Sequence, residues 1–142
     1  MAAVVPDLRQ FRERARREAE RYGGDPWVLV RELVQNGRDA GATAVRFTAD
    51  TAHGVERVIC RDDGEGMSWE EARRYLLTLY ASSKERRHRR RAGRFGVGFW
   101  SVLRFEPDRI VIRSATAEAK GKGWELRLGP GLEFEALRSV GL

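Results

Sequence analysis

The 142-residue chain predicts a single α+β domain, in which helices cover one face of a mainly antiparallel sheet as a two-layer sandwich. Three observations predict it. Capped, amphipathic helical patterns fall at about 7–22, 26–40 and 69–80. Short β-rich runs recur at 44–49, 55–61, 109–114 and 123–128. Apolar content of 42% beside 34% charged residues is that of a globular chain long enough to bury a core.

Each element has a local cause. Asp7 caps a first helix whose stripe is Leu8, Phe11, Ala15 and Tyr22, and Gly23-Gly24 ends it. Asp25-Pro26 restarts a helix, with the aspartate as cap and proline in the first turn. It carries Trp27, Val28, Leu29, Val30, Leu33 and Val34, so it is expected to be mostly buried, and Gly41 closes it. Polar Glu32, Asn36 and Asp39 on such a helix call for partners, which a ligand pocket supplies. Two strands, 44–49 and 55–61, meet in a loop around His53-Gly54. Ser68-x-x-Glu71 is a capping box for the third helix, 69–80. Residues 81–94 lack apolar periodicity and read as a flexible lid. A short helix at 97–103 and strands at 109–114, 123–128 and 133–137 complete the chain.

The formal net charge is +6 and the sequence pI about 10.2, a balance suited to polyanions: nucleotide phosphates, nucleic acid or an acidic protein partner. Seven of the basic residues lie between Lys84 and Arg94, opposed by Glu85 alone. That run reads either as a nucleic-acid contact or as a solvated, self-repelling loop. Cys60 has no second cysteine for an internal disulfide and reads as buried packing, compatible with a reducing cytoplasm. No signal core or membrane-length apolar run is present, so a cytoplasmic protein that makes no use of the membrane is expected.

Three strings carry the chemistry: Glu32-x-x-x-Asn36-x-x-Asp39-Ala40, then Asp62-Asp63-Gly64-Glu65-Gly66-Met67, then Gly93-Arg94-Phe95-Gly96-Val97-Gly98-Phe99. Residues 32 and 36 leave one helix face a turn apart. Asp62 ends an apolar strand, where a carboxylate wants a donor, and Gly64 and Gly66 let backbone pass close to a ligand. The glycines of the third string let successive N–H groups converge on an anion, with a helix N-terminus near Gly98 adding its dipole. Alone, each string has a blander reading. Glu32 could pair with an arginine and Asn36 cap a local turn; Asp39 could bond the backbone near Gly41; the second string could be an ordinary hairpin turn.

In this order the strings resemble the GHKL superfamily, which includes gyrase, the ninety-kilodalton heat-shock chaperones, histidine kinases and MutL. The resemblance covers about 27–114. It is nearest the heat-shock chaperones in the third string, which continues through Trp100 and Ser101, and is MutL-like in Ala40-Gly41-Ala42-Thr43 and Ala81-Ser82-Ser83-Lys84. It implies the same sandwich, with ATP as substrate between helices and sheet. It implies that Asn36 ligates Mg²⁺ and that Glu32 is the catalytic base for water. Asp39 would lie along the nucleotide, Asp62 would accept from the adenine amine, and Met67 would pack on the ring beside Gly64 and Gly66. Gly93, Phe95, Gly96, Val97, Gly98 and Phe99 would hold the β- and γ-phosphates, with Ser83 and Lys84 approaching from the lid.

The family pattern also includes a Gly-Thr pair near the base and a catalytic Lys or Arg from a second domain; neither is found here. The chain, residues 1–142 as one domain, is therefore expected to be the N-terminal part of a longer protein or an abbreviated relative. His53 and His88 sit in expected loops, which disfavours a histidine kinase. The leading reading is a heat-shock-chaperone-like ATPase with slow hydrolysis, lid closure and nucleotide-dependent homodimerisation. Alternatives are a MutL-like ATPase acting on nucleic acid, and a silent interaction module that keeps the fold.

Overall fold

The computed structural model describes residues 13, 15–17, 20, 25, 27–75, 98–131 and 134–141. The expected first helix falls largely outside these, although Glu13, Ala15, Arg16, Arg17 and Glu20 are helical and Ala15 is fully buried. Helix α1 spans Trp27–Asp39. Its start is set by Asp25, whose Oδ1 accepts the Trp27 N–H at 2.9 Å while Oδ2 pairs with Arg31 at 2.8 Å. Its end is a Schellman closure. Ala42 N–H donates to the Gly37 carbonyl at 2.9 Å and Gly41 N–H to that of Arg38 at 3.0 Å, with Gly41 at φ +74°.

The expectation that α1 is mostly buried does not hold. Val28, Asn36 and Gly37 are buried, Glu32 and Leu33 half-buried, while Trp27 is 66% exposed and Val34 also faces outward. Positions 28, 32 and 36 recur every four residues and share one face with 33 and 37. Among the described residues, that stripe holds all three of the helix's buried positions.

Strands β1 (Val45–Ala52) and β2 (Val55–Asp62) pair antiparallel, from Ala52 opposite Val55 to Val45 opposite Asp62. His53 and Gly54, both at positive φ, make the two-residue turn whose twist suits a hairpin. Helix α2 is described over Trp69–Tyr75, the first half of the expected helix, and Glu71 N–H donates to Ser68 Oγ at 3.2 Å as the cap requires. The run after the third string is a 3-10 helix, Gly98–Phe105, rather than an α-helix, and it extends past the expected 103.

Strands β3 (Ile110–Ser114), β4 (Lys122–Leu128) and β5 (Phe134–Gly141) form a second antiparallel sheet in that order. β5 runs four residues beyond the expected 133–137 and begins one later. The described strands thus make two separate antiparallel sheets, a hairpin and a three-stranded unit, where one sheet was expected. With helices packed on the three-stranded sheet, the class is α+β as read from the sequence.

Alternation along β3 and β4 explains the core. Ile110 and Ile112 face Leu128 and Leu126 across the ladder, and with Trp124 they pack against Ala15, Trp69, Ala72, Phe99 and Trp100. Trp69 meets Trp124 edge-on at 5.6 Å between centroids. The opposite face of this sheet is polar. Glu125, 1% exposed, is held between Arg113, directly across the ladder, and Arg127. The Arg113 hydrogen bond, with help from Arg127, keeps its carboxyl below the usual range against the pull of burial.

Candidate functional site

The first two strings meet in space. A Cβ placed on Gly37 would come within 2.6 Å of Val45 Cγ2 and 3.6 Å of Asp62 Cβ, so α1 lies directly on the start of β1 and the end of β2. A Cβ on Gly64 would press on Ala40 Cβ at 2.7 Å, and Glu65 N–H donates to the Ala40 carbonyl at 2.9 Å. The last turn of α1 and the Asp62–Met67 turn therefore form one continuous wall.

That turn also ties the two sheets together. Met67 N–H donates to Ser114 Oγ at 2.9 Å, and its carbonyl accepts from Trp124 Nε1 at 2.8 Å. Gly66, at φ +74°, passes so close to Ala115 that a Cβ would fall 2.0 Å from its carbonyl oxygen. The Met67 side chain packs on the core, so its predicted place on a ring must be at the core's edge.

Asp62 is exposed rather than part-buried as expected, because among the described residues no third strand pairs with the hairpin. Its Oδ1 accepts the Gly64 N–H at 2.9 Å, which fixes the carboxylate and leaves Oδ2 without a partner among the described residues. Asp63 has a different task. It accepts from the N–H groups of Thr43 (2.7 Å) and Ala44 (3.0 Å) and from the Thr43 hydroxyl. These bonds, the Thr43 hydroxyl first, lower its pKa to about 2 and clamp the loop from α1 to β1.

On the α1 side, Asn36 is 7% exposed and neither its Oδ1 nor its Nδ2 has a partner among the described residues. A buried carboxamide left open in this way fits a ligand or cation. No cluster of three His, Cys, Asp or Glu among the described residues could hold a metal alone. One neutral oxygen from Asn36 suits Mg²⁺, which takes few protein ligands and fills its shell with phosphate oxygens and water. Glu32, half-buried, is one turn back on the same face. Asp39 is exposed and accepts from Gln35 Nε2 at 2.8 Å, not from backbone near Gly41.

Of the third string, Gly98 starts the 3-10 helix, and the Phe99 ring lies in the core, 5.2 Å from that of Trp100. A ligand would meet the Phe99 backbone and not its ring. Ser83, Lys84, Gly93, Phe95, Gly96 and Val97 lie outside the described residues, as does the lid at 81–94. Cys60 is half-buried opposite Phe47. Burial, then the Asp62 charge, pushes its thiol up to about 11, which makes it inert at neutral pH.

The sequence reading missed Gly37, Asp63, Ser114 and Trp124. Gly37 has a signal, a glycine inside a helix, which is tolerated there for close packing. The other three act through contacts 19 or more residues away in the chain, which no local pattern reveals.

This wall joins helix and glycine turn in an α+β domain. The chain belongs to the family of histidine kinase-, DNA gyrase B- and HSP90-like ATPases, whose family model matches residues 25–127. It is 32% identical over 121 residues to the DNA mismatch repair protein MutL of Akkermansia muciniphila, an alignment covering 82% of this chain and 18% of that protein. It is 46% identical over 61 residues to MutL of Myxococcus xanthus, covering 43% and 10% respectively. To the chaperone protein HtpG of Chlorobium phaeobacteroides it is 27% identical over 137 residues, covering 77% and 22%. The chain therefore spans no more than about a fifth of these relatives' lengths. No helix among the described residues is long and apolar enough to cross a membrane.

Proposed function

We propose that the domain binds Mg-ATP between α1 and the Asp62–Met67 turn and hydrolyses it slowly. The observation that supports this most is the buried carboxamide of Asn36, without a partner among the described residues, on the helix face that lies against Asp62. Asp62 Oδ2 accepts from the exocyclic amine of adenine. Guanine places an oxygen there, so two acceptors would oppose each other. Gly64 and Gly66 bring backbone close to the base, and Asn36 Oδ1 holds the cation, which neutralises charge on the phosphates. Glu32, a turn away, orients or deprotonates the attacking water. The Gly93–Phe99 string, with Ser83 and Lys84, receives the β- and γ-phosphates, and Asp39 lies along the nucleotide.

Within the family, the MutL likeness and the +6 charge favour a protein whose ATP cycle of lid closure and homodimerisation serves nucleic-acid transactions. A chaperone-like cycle is the second reading, favoured by the third string and by the HtpG likeness. Calorimetric titration of ATP with Mg²⁺ and with EDTA tests the shared core of both. Saturable binding strengthened by Mg²⁺ is expected, and absence of binding contradicts it. Salt titration with duplex DNA separates the two, since neutralising several phosphates makes affinity fall steeply with salt.

A further inference from the structure

Ser101 is 2% exposed, and its hydroxyl has no hydrogen-bond partner among the described residues. Asn36 shares both properties, and the two residues lie on elements that pack against each other, α1 and the 3-10 helix Gly98–Phe105. Leu33, on the same face of α1 as Asn36, packs on the core cluster that contains Phe99 and Trp100, the two residues before Ser101. A buried hydroxyl with no partner burdens the fold and calls for a functional reason.

Resting on the Mg-ATP reading, we propose that Ser101 is the positioning residue of the cation site. In the nucleotide-bound state its Oγ accepts from Asn36 Nδ2–H, which turns Asn36 Oδ1 toward the cation. A carboxamide presents two ends of similar size and opposite polarity, and only the oxygen can ligate a cation. Without a second contact Asn36 has nothing to select that end. The hydroxyl comes from the 3-10 helix whose first two residues, Gly98 and Phe99, end the third string. Eight residues of 3-10 helix is a long run for that geometry, whose weaker hydrogen bonds often mark a hinge. A small adjustment of this segment on phosphate binding brings Ser101 within reach of Asn36.

The test is the ratio of ATP affinities in Mg²⁺ and in EDTA, measured by calorimetry on the parent, Ser101→Ala and Asn36→Ala. Ser101→Ala should lower this ratio roughly three- to tenfold, the worth of one neutral hydrogen bond, with affinity in EDTA unchanged. Nucleotide-free Ser101→Ala should melt at or above the parent's temperature, because it removes an unpaired buried group. An unchanged ratio overturns the proposal. So does a melting temperature several degrees lower, which would show the hydroxyl already bonded in the free protein. If Asn36→Ala loses the ratio and Ser101→Ala keeps it, the nucleotide reading stands and only the role of Ser101 falls; a parent that binds no ATP overturns both.

Discussion

Asp62 and Asp63 are chemically identical neighbours with opposite tasks. Asp63 spends its acceptors on the Thr43–Ala44 backbone and hydroxyl, whereas Asp62 Oδ2, beside α1, has no partner among the described residues. Asp62→Asn should therefore leave the fold intact and weaken ATP binding roughly ten- to hundredfold, the loss of one charge-assisted hydrogen bond; calorimetry beside a melting curve checks both halves. Asp63→Asn should do the reverse, lowering the melting temperature and sparing affinity. Because the folded pKa of Asp63 is depressed, its contribution is present above the unfolded carboxyl pKa of about 3.9 and lost as pH falls through about 2. The melting gap between parent and Asp63→Asn should thus be open at neutral pH and close across that window. Glu32→Ala should retain ATP and slow single-turnover hydrolysis on the order of 10²–10⁴-fold. That the second string would carry a loop clamp was not legible. Asp62 was marked by its place at a strand end, but nothing in the sequence says that Asp63 reaches back to Thr43.

At the scale of elements, the caps were the most legible feature, because Asp25, Gly41 and Ser68 act on backbone groups within a few residues. Burial of α1 was not, since Trp27 and Val34 suggest an inward helix and only tertiary contact shows which stripe is covered. That the described strands fall into two sheets was not legible for the same reason: strand pairing depends on partners far along the chain. The glycines provide a graded test. Gly54 sits at φ +76° in open space, so Gly54→Ala bears only the cost of left-handed backbone, about 1–2 kcal/mol. Gly66 has a similar φ and, in addition, no room beside Ala115, so Gly66→Ala should destabilise clearly more in denaturant titration and weaken ATP binding as the turn is displaced.

At the scale of the molecule, the proposed function asks one short chain to join an adenine-reading turn, a cation-holding helix and a basic stretch. The turn is anchored to the three-stranded sheet by Ser114 and Trp124, so the Asp62–Met67 turn and the core are mechanically one unit. Replacing Arg86, Arg87, Arg89, Arg90 and Arg91 with alanine should leave Mg-ATP affinity within a few fold, since none lies in one of the three strings assigned to the nucleotide. The same variant should weaken DNA binding and flatten its salt dependence. The central claim, that Asn36 and Asp62 face one nucleotide, is tested most directly by calorimetric titration of ATP and GTP into the parent and Asn36→Ala, each with Mg²⁺ and with EDTA. The account expects ATP to bind far more tightly than GTP, with a Mg²⁺ enhancement that Asn36→Ala removes. Equal binding of the two nucleotides, or an enhancement that survives in Asn36→Ala, would contradict it.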